Sequence, residues 1–355
     1  MFLSVIELCI MHNQRIVTEI VDDKSVDPFI RNAKLNKESV YTYMNNITQT
    51  KIYGWDGYQI RAGAISMGIV PDIGGRIISL SYDGEEIFFV QKEFAGEVFD
   101  FSQVTALRAE KTKLGFRVWG GDKTWLAPQK DWWGGTPPLE LDAGRYQTTL
   151  ADNKISMVSP ICRETGLQIT RTVSMNQNGV ISLGQEICNK GKAVVHKGIW
   201  NVTQLCRPFD VFLPTTKDKL RSYHEEDLTL PSHHIVVREV DGWSCVPCHD
   251  NQLFKFGGMV NMGAVLCLQK NKNGLLAYLK VFDVELDADY LHRSVVEVFN
   301  AMDHNYLEVE THASTVHLKP DQSSRHNQVW RLKQFSKSMT PQQIFDDMTT
   351  AVPQV

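Results

Sequence analysis

Two glutamates and a histidine alternate in the segment Tyr306-Leu-Glu-Val-Glu-Thr-His312. Successive side chains of a β-strand point to opposite faces, so Glu308, Glu310 and His312 share one face if this segment is a regular strand. Two carboxylates on an inward face repel each other, which raises one pKa towards the range that suits acid–base catalysis. Histidine is the commonest acid–base side chain near neutral pH. The alternative interpretation is a solvated strand face on which both glutamates lie in water.

A second segment, residues 119–133, places four tryptophans among glycines and polar side chains. Sugars present apolar C–H faces, on which flat aromatic rings stack, and hydroxyls, which hydrogen-bond to amide and charged groups. The candidates for such contacts are Lys123, Trp125, Gln129 and Trp132. We expect Trp125 or Trp132 to lie at the site and at least one of the four tryptophans to fill the space between sheets.

Arg76 follows two glycines in the segment Val70-Pro-Asp-Ile-Gly-Gly-Arg76. Its planar guanidinium suits bidentate contact with a hydroxyl pair or a carboxylate, so Arg76 is a candidate binding residue. An ion pair at a sheet edge is the competing interpretation, and the sequence leaves both open.

The segment Cys245-Val-Pro-Cys248-His249 contains metal-ligating residue types. It offers only two soft ligands, and no second pair with zinc spacing follows it. The same pattern attaches c-type haem only in exported proteins. The sequence also contains neither a phosphate-cradling nor a dinucleotide-binding glycine motif. We therefore expect no metal and no cofactor.

The net charge and the cysteine content indicate which classes of partner and which cellular compartment to expect. The 355 residues carry a net charge of −4 with scattered basic residues, which does not indicate a nucleic-acid partner. Seven cysteines at irregular spacing favour a reducing compartment. The apolar N-terminal run is too short to span a bilayer and lacks the basic region of a signal peptide. The expected location is the cytoplasm without membrane contact; export that needs no N-terminal signal stays open.

The sequence pattern predicts that the elements which position these candidate site residues are β-strands. In Leu167–Met175, the apolar residues Leu167, Ile169, Val173 and Met175 share one face and polar residues share the other, the period of a half-buried strand. An Asn-Gln-Asn-Gly turn follows, then a return strand over Val180–Cys188, a second turn and a third strand over Ala193–Leu205. These three strands predict an antiparallel meander.

Short runs of alternating apolar and polar residues continue along the chain. This pattern favours one large all-β domain over residues 51–335. Residues 1–50 read as an N-terminal extension with a short helix over Asn32–Asn46. Residues 336–355 read as a C-terminal helix, over Pro341–Met348, and a tail.

Three passages resemble the galactose mutarotase-like superfamily, the β-supersandwich that includes the aldose 1-epimerases. Residues 70–84 resemble its opening hairpin, P-x-x-G-G/A-R-I-x-S-L. Residues 120–129, Gly-Gly-Asp-Lys-Thr-Trp-Leu-Ala-Pro-Gln, are similar to the double-glycine loop at the rim of the sugar site. Residues 306–330 resemble the strand that ends in V-E-T, the following turn and an aromatic strand. The resemblance implies an all-β supersandwich of mainly antiparallel strands, and its texture is closest to an uncharacterised bacterial branch.

The resemblance also implies a carbohydrate-binding protein, a sugar-active enzyme of aldose 1-epimerase type in carbohydrate metabolism. The family's catalytic base matches Glu310. The family's acid, a histidine, is expected near residues 201–203, where this chain has Asn-Val-Thr; His312 is the candidate substitute. A non-catalytic carbohydrate-binding module, a sugar lyase or hydrolase on the same fold, and a scaffold for protein partners stay open. The ligand is a mono- or oligosaccharide, and the sequence gives neither its identity nor the oligomeric state.

Overall fold

The computed structural model describes residues 47–151, 153–223 and 236–350, which belong to one compact unit. The helix expected over Asn32–Asn46 and nearly all of the expected extension over 1–50 lie outside the described residues. Among the described helices, none is long and apolar enough to cross a membrane.

Strands dominate the described residues. In chain order they are β1 Ile47–Ile52, β2 Trp55–Ala62, β3 Ile65–Val70, β4 Arg76–Tyr82, β5 Glu85–Glu86, β6 Asp122–Ala127, β7 Gln147–Ala151, β8 Lys154–Val158, β9 Leu167–Met175, β10 Ile181–Asn189, β11 Val195–Cys206, β12 Phe209–Leu213, β13 Leu220–Ser222, β14 Arg238–Val240, β15 Trp243–Cys248, β16 Phe254–Gly258, β17 Ala264–Asn271, β18 Gly274–Phe282, β19 Val296–Asn300, β20 Tyr306–His312, β21 Val316–Leu318 and β22 Ser323–Phe335. The α-helices are α1 Leu107–Leu114, α2 Leu139–Asp142 and α3 Pro341–Thr349. Short 3₁₀ helices span Pro71–Ile73, Lys92–Phe94, Phe101–Gln103, Gln129–Asp131, Trp133–Gly135 and Lys217–Lys219.

The strands form two antiparallel sheets that pack face to face. Within the described residues the first sheet has twelve strands, with the order β1-β2-β3-β4-β6-β11-β20-β19-β16-β13, and β5 and β21 pair at its margins. The second has ten, with the order β14-β15-β12-β17-β18-β22-β10-β9-β8-β7. Apolar side chains from the facing sides form the main core. The expected fold class, a supersandwich of antiparallel strands, is confirmed.

The expected three-stranded meander is only partly correct. Leu167–Met175 forms β9 at the expected bounds and pairs with β10. The third strand, β11, does not continue this pairing, because β22 occupies the other edge of β10. It crosses instead to the first sheet and lies between β6 and β20. This crossover brings Trp200 beside the strand that carries Glu310.

A buried polar network joins the two sheets on the core side of β6 and β11. Asp122 accepts hydrogen bonds from Thr203 Oγ1 at 2.6 Å and Asn201 Nδ2 at 2.9 Å, and it pairs with Arg171 of the second sheet. Lys280 Nζ donates to Thr203 Oγ1 at 2.8 Å. Burial lowers the pKa of Lys280 to about 8, although Asp122 opposes the shift. The network fixes β6 and β11 against the second sheet.

Helix α3 closes the outer face of the second sheet. It covers the segment in which the sequence predicts a helix. Thr340 caps its N-terminus, and the Gln343 side chain accepts the Thr340 backbone N–H in return, which makes a capping box. Ile344 and Met348 are fully buried against strands of the second sheet.

Candidate functional site

The outer face of the first sheet, opposite the core, carries a cluster of charged side chains around β20. Val309 points into the core, and Glu310 points to the other side of the sheet. In the ladder, Glu310 stands opposite Glu297 of β19, and His312 stands opposite Trp200 of β11. Directly paired residues share a face, so these side chains meet on the outer side of the sheet.

Glu310 is the centre of this cluster and is fully buried. Its Oε2 accepts Trp200 Nε1–H at 2.7 Å and Lys255 Nζ at 2.9 Å. Its Oε1 makes no hydrogen bond to any described residue. Burial raises the pKa of Glu310 well above its usual range; Lys255 opposes the shift, and the negative charges of Glu297 and Glu308 add to it.

Glu297 is a second fully buried carboxylate, which the sequence analysis missed. Lys255 Nζ lies 2.7 Å from its Oε2, and the hydroxyl of Tyr223 donates to its Oε1. Two histidines approach it, with His292 Nδ1 3.4 Å from Oε1 and His312 Nε2 3.3 Å from Oε2. Burial alone would raise the pKa of Glu297, but Lys255 and then His312 outweigh it, so this pKa is held well below its usual range.

The pKa values of Lys255 and His312, which both lie beside Glu297, are shifted in opposite directions. Burial opposes the charged form of Lys255, but both carboxylates outweigh it and raise its pKa. Burial lowers the pKa of His312 to about 4, so its imidazole is neutral at pH 7. A neutral imidazole is a weak proton donor, which leaves little support for His312 as a substitute for the missing family acid.

Glu308 lies on the same face and joins the candidate Lys123 to the cluster. Lys123 Nζ lies 3.4 Å from Glu308 Oε1, and Gln204 Nε2 donates to the same oxygen at 2.9 Å. Burial lowers the pKa of Lys123, and Glu308 opposes the shift. The ammonium of Lys123 also lies 4.5 Å from the centre of the Trp125 ring.

Three tryptophans form an aromatic group over one end of the cluster. The ring centres of Trp125 and Trp200 lie 5.1 Å apart in a T-shaped arrangement, and Trp132 stacks on Trp200 at 5.3 Å. His292 contacts Trp200 at 4.6 Å. Both Trp125 and Trp132 therefore lie beside the cluster, but the ring of Trp200 is covered by Trp132 and His292.

Arg76 and Gln129 reach the cluster only indirectly. Arg76 is buried, and its Nη2 pairs with Asp142 Oδ1 at 2.6 Å. The same oxygen accepts Trp125 Nε1–H at 2.7 Å, so Arg76 reaches the site only through Asp142 and Trp125. The ion-pair interpretation of Arg76 fits, although the pair is buried. The Gln129 residue is exposed, and it contacts the cluster through its backbone N–H, 3.2 Å from His292 Nε2.

The cluster is closed in this structure. Glu297 and Glu310 are 0% exposed and His312 is 2% exposed. The nearest accessible side chains are Lys255, at 14%, and His292, at 10%. A sugar could reach Glu310 only if the covering side chains moved.

Two groups of metal-ligating residue types stand out in the described part of the chain. Cys245 and Cys248 belong to different hydrophobic clusters on opposite faces of β15, so they cannot share one ion in this arrangement. In contrast, ligand atoms of His292, Glu297 and His312 all lie within 4.8 Å of one another.

The signal that could have revealed the missed residues is a charged side chain inside an apolar strand. Glu297 lies between Val296 and Val298, and Lys255 between Phe254 and Phe256. Charged residues are rarely buried unless they are paired, so the pattern predicts an oppositely charged partner for each of these two side chains. Their sequence separation hides which partner it is.

No family model matches this sequence, and no curated protein matches it. The solved structures to which the chain is similar define its fold as galactose mutarotase-like. They include a galactose mutarotase-like protein from Lactobacillus casei ATCC 334, with 9% identity, a TM-score of 0.50, and coverage of 78% of this chain and 100% of that chain. A galactose mutarotase-like protein from Clostridium acetobutylicum has 12% identity, a TM-score of 0.50, and coverage of 81% and 98%. A Synechocystis sp. PCC 6803 protein has 12% identity, a TM-score of 0.52, and coverage of 81% and 99%. At these identities the likeness concerns the fold alone.

Proposed function

We propose that this protein is a carbohydrate-active enzyme that acts at the anomeric centre of an aldose, as an aldose 1-epimerase does. The observation that carries the proposal is the position of Glu310. It lies on the outer face of the β20 strand of a galactose mutarotase-like fold, beside a second carboxylate and an aromatic group. Glu310 is also the residue that the sequence resemblance matches to the catalytic base.

Mutarotation requires proton transfer from the anomeric hydroxyl and to the ring oxygen. A carboxyl group whose pKa is raised towards neutrality exchanges a proton more readily than a surface glutamate does. Trp200 and Lys255 hold Glu310 Oε2, and Oε1 has no hydrogen bond within the described residues, so Oε1 is the atom that would face the sugar.

The aromatic group offers a stacking surface for the apolar face of a pyranose. Trp200 would provide that surface after Trp132 and His292 move away, because both now contact its ring. Sugar binding and opening of this cover would then be one event. Lys123 and Glu308 lie in the same cluster and would contact the hydroxyls.

The test is proton NMR exchange between the α and β anomers over a panel of aldoses, with calorimetric binding measurements on the same preparation. We expect Glu310→Gln to retain sugar binding and to lose exchange by about 100-fold or more, the lower range for general acid–base catalysis. Glu186→Gln is the control, because Glu186 lies on the second sheet and pairs with Arg325 near the surface. Full exchange by Glu310→Gln would remove Glu310 from the mechanism.

The closed cluster and the neutral His312 favour one second candidate, a non-catalytic carbohydrate-binding protein. Such a protein would bind an aldose, with no exchange above the uncatalysed rate, in wild type and in Glu310→Gln alike. Absence of both binding and exchange for every aldose would reject both candidates.

A further inference from the structure

A histidine–glutamate–histidine set meets on the outer face of the first sheet from three separate places in the chain. His292 lies in the loop before β19, Glu297 in β19 and His312 at the end of β20. The nearest ring nitrogens lie 3.4 Å and 3.3 Å from the Glu297 carboxylate oxygens. Bonds of about 2.05 Å to a tetrahedral zinc-type ion place neighbouring ligand atoms about 3.3 Å apart. Glu297 Oε2 lies at about this spacing from both nitrogens, 3.4 Å from His292 Nδ1 and 3.3 Å from His312 Nε2, and the ligand atoms of all three residues lie within 4.8 Å of one another.

The hydrogen bonding of His312 supports the same conclusion. His312 is buried, yet neither of its ring nitrogens makes a well-formed hydrogen bond to a described residue. Its Nε2 lies 3.3 Å from Glu297 Oε2 without the alignment of a hydrogen bond. Buried polar atoms nearly always have a hydrogen-bond partner, so we expect the His312 ring to have a further partner beside Glu297.

The charges of the surrounding cluster leave room for a cation. Glu297 and Glu310 supply two carboxylates, and one ammonium, that of Lys255, lies between them. The neighbouring Glu308 is matched by Lys123. Among the described residues these two carboxylates therefore share one ammonium, and the other basic groups at Glu297 are the imidazoles of His292 and His312.

We propose that His292, Glu297 and His312 bind a divalent transition-metal ion of the zinc class. Imidazole and carboxylate together suit Zn²⁺, Co²⁺ and Fe²⁺ better than Mg²⁺ or Ca²⁺. Three protein ligands leave a fourth position open, as in catalytic zinc sites. Glu310 Oε1 lies on the same face of the sheet. Among the described residues it is the one buried carboxylate oxygen without a hydrogen bond.

Three contacts oppose the ion and shape the test. Lys255 holds Glu297 Oε2 and the Tyr223 hydroxyl donates to Oε1, so an ion at either oxygen would displace one of these two side chains. His292 Nε2 accepts the Gln129 N–H at 3.2 Å, which places the ring proton on Nδ1. Ligation through Nδ1 moves that proton to Nε2 and breaks the Gln129 contact. Metal binding should therefore shift the loop that carries Trp132, with a change in tryptophan fluorescence.

This proposal goes beyond the proposed function and does not depend on it. If the proposed function also holds, the ion would lie on the same face of the sheet as Glu310 and would supply an electrophile for a sugar oxygen. Metal binding is measured without sugar, so failure of one proposal is separable from failure of the other.

The experiment uses the full chain without an affinity tag, stripped of metal with a chelator and then dialysed. Co²⁺ is titrated with absorption spectroscopy, Zn²⁺ with calorimetry, and tryptophan fluorescence is recorded in both. We expect one ion per chain and the intense visible bands of tetrahedral Co²⁺. His292→Ala, in a partly exposed loop, should weaken binding by about 100-fold or more, beyond the usual effect of an outer-shell change. His312→Ala should do the same.

The matched control is His249→Ala. His249 is also a histidine near an acidic partner, with Nε2 3.0 Å from Asp210 Oδ1, but it is exposed and remote from the cluster. Its loss should leave Co²⁺ binding unchanged. Absence of tetrahedral Co²⁺ bands in the wild type, or equal binding by His292→Ala and His249→Ala, would overturn the proposal.

Discussion

Lys255 is the side chain on which the stability of the buried cluster most depends. Its ammonium lies 2.7 Å from Glu297 and 2.9 Å from Glu310, and both carboxylates are 0% exposed. It also lies 5.1 Å from the centre of the Trp200 ring. Breaking a buried ion pair by removing one partner costs about 3–5 kcal/mol, because an uncompensated charge stays behind.

Replacing Lys255 with methionine keeps most of the length and the apolar stem of the side chain and removes the ammonium. We expect the free energy of unfolding at pH 7 to fall by about 3 kcal/mol, the low end of that range, because Glu297 keeps its contacts with Tyr223 and the histidines. The double variant Lys255→Met/Glu310→Gln should recover about 1 kcal/mol or more of the loss, since one buried carboxylate is also gone. Urea unfolding followed by circular dichroism measures both.

The dependence on pH has a definite sign. Without Lys255, a buried carboxyl has a pKa above its unfolded value, so its penalty is present at high pH and disappears as the folded variant takes up a proton. The deficit of Lys255→Met should therefore shrink between pH 8 and pH 5. Lys333→Met is the matched control: it breaks a 2.5 Å pair with Asp347 and a 5.0 Å contact with a phenylalanine ring, but it is 44% exposed and should cost less than about 1 kcal/mol. A Lys255→Met loss equal to that of the control would refute the reasoning.

Three further outcomes are expected. Burial lowers the pKa of His326 to about 3, so protonation of the unfolded chain destabilises the fold as pH falls below about 6.5; His326→Gln should flatten the decline of Tm between pH 6.5 and 4 in calorimetric scans. Asp122→Asn leaves two buried cations without their carboxylate and should cost about 3 kcal/mol or more in urea unfolding. At Gly121, φ is +67° and an added Cβ would lie 2.4 Å from a backbone oxygen; alanine there should lower Tm far more than at Gly63, where φ is +55° but the space is open.

Local patterns were sufficient for the strands and for the composition of one face. The period of two in residues 167–175 predicted β9 at its observed bounds, because each apolar residue there packs into the core. The same alternation placed Glu308, Glu310 and His312 together. The three family-like passages predicted the supersandwich, since glycines and turn residues at fixed offsets specify its loops.

Pairings between distant strands could not be predicted in the same way. Lys255 and Glu310 are 55 positions apart and meet only because β16, β19 and β20 lie next to one another in the sheet. Alternation gives the face of each side chain but not the neighbour of each strand. The crossover of β11 was missed for this reason, because the sequence does not reveal that β22 occupies the free edge of β10.

The two polar networks on opposite faces of the first sheet differ in charge and in access. Behind β11, Asp122 faces two cations, Arg171 and Lys280, and the network is sealed between the sheets. Burial lowers the pKa of Lys280 to about 8, so this lysine gives up its proton more readily than a surface lysine and the excess of positive charge can fall without a new partner. In front of β11, the carboxylates of Glu297 and Glu310 outnumber the ammonium of Lys255. Relief there requires an added positive charge, either a proton on Glu310 or a metal ion. Such exchange requires access to solvent, and the outer face has the partly exposed side chains of Lys255 and His292 at its edge, so the proposed function is assigned to the outer network.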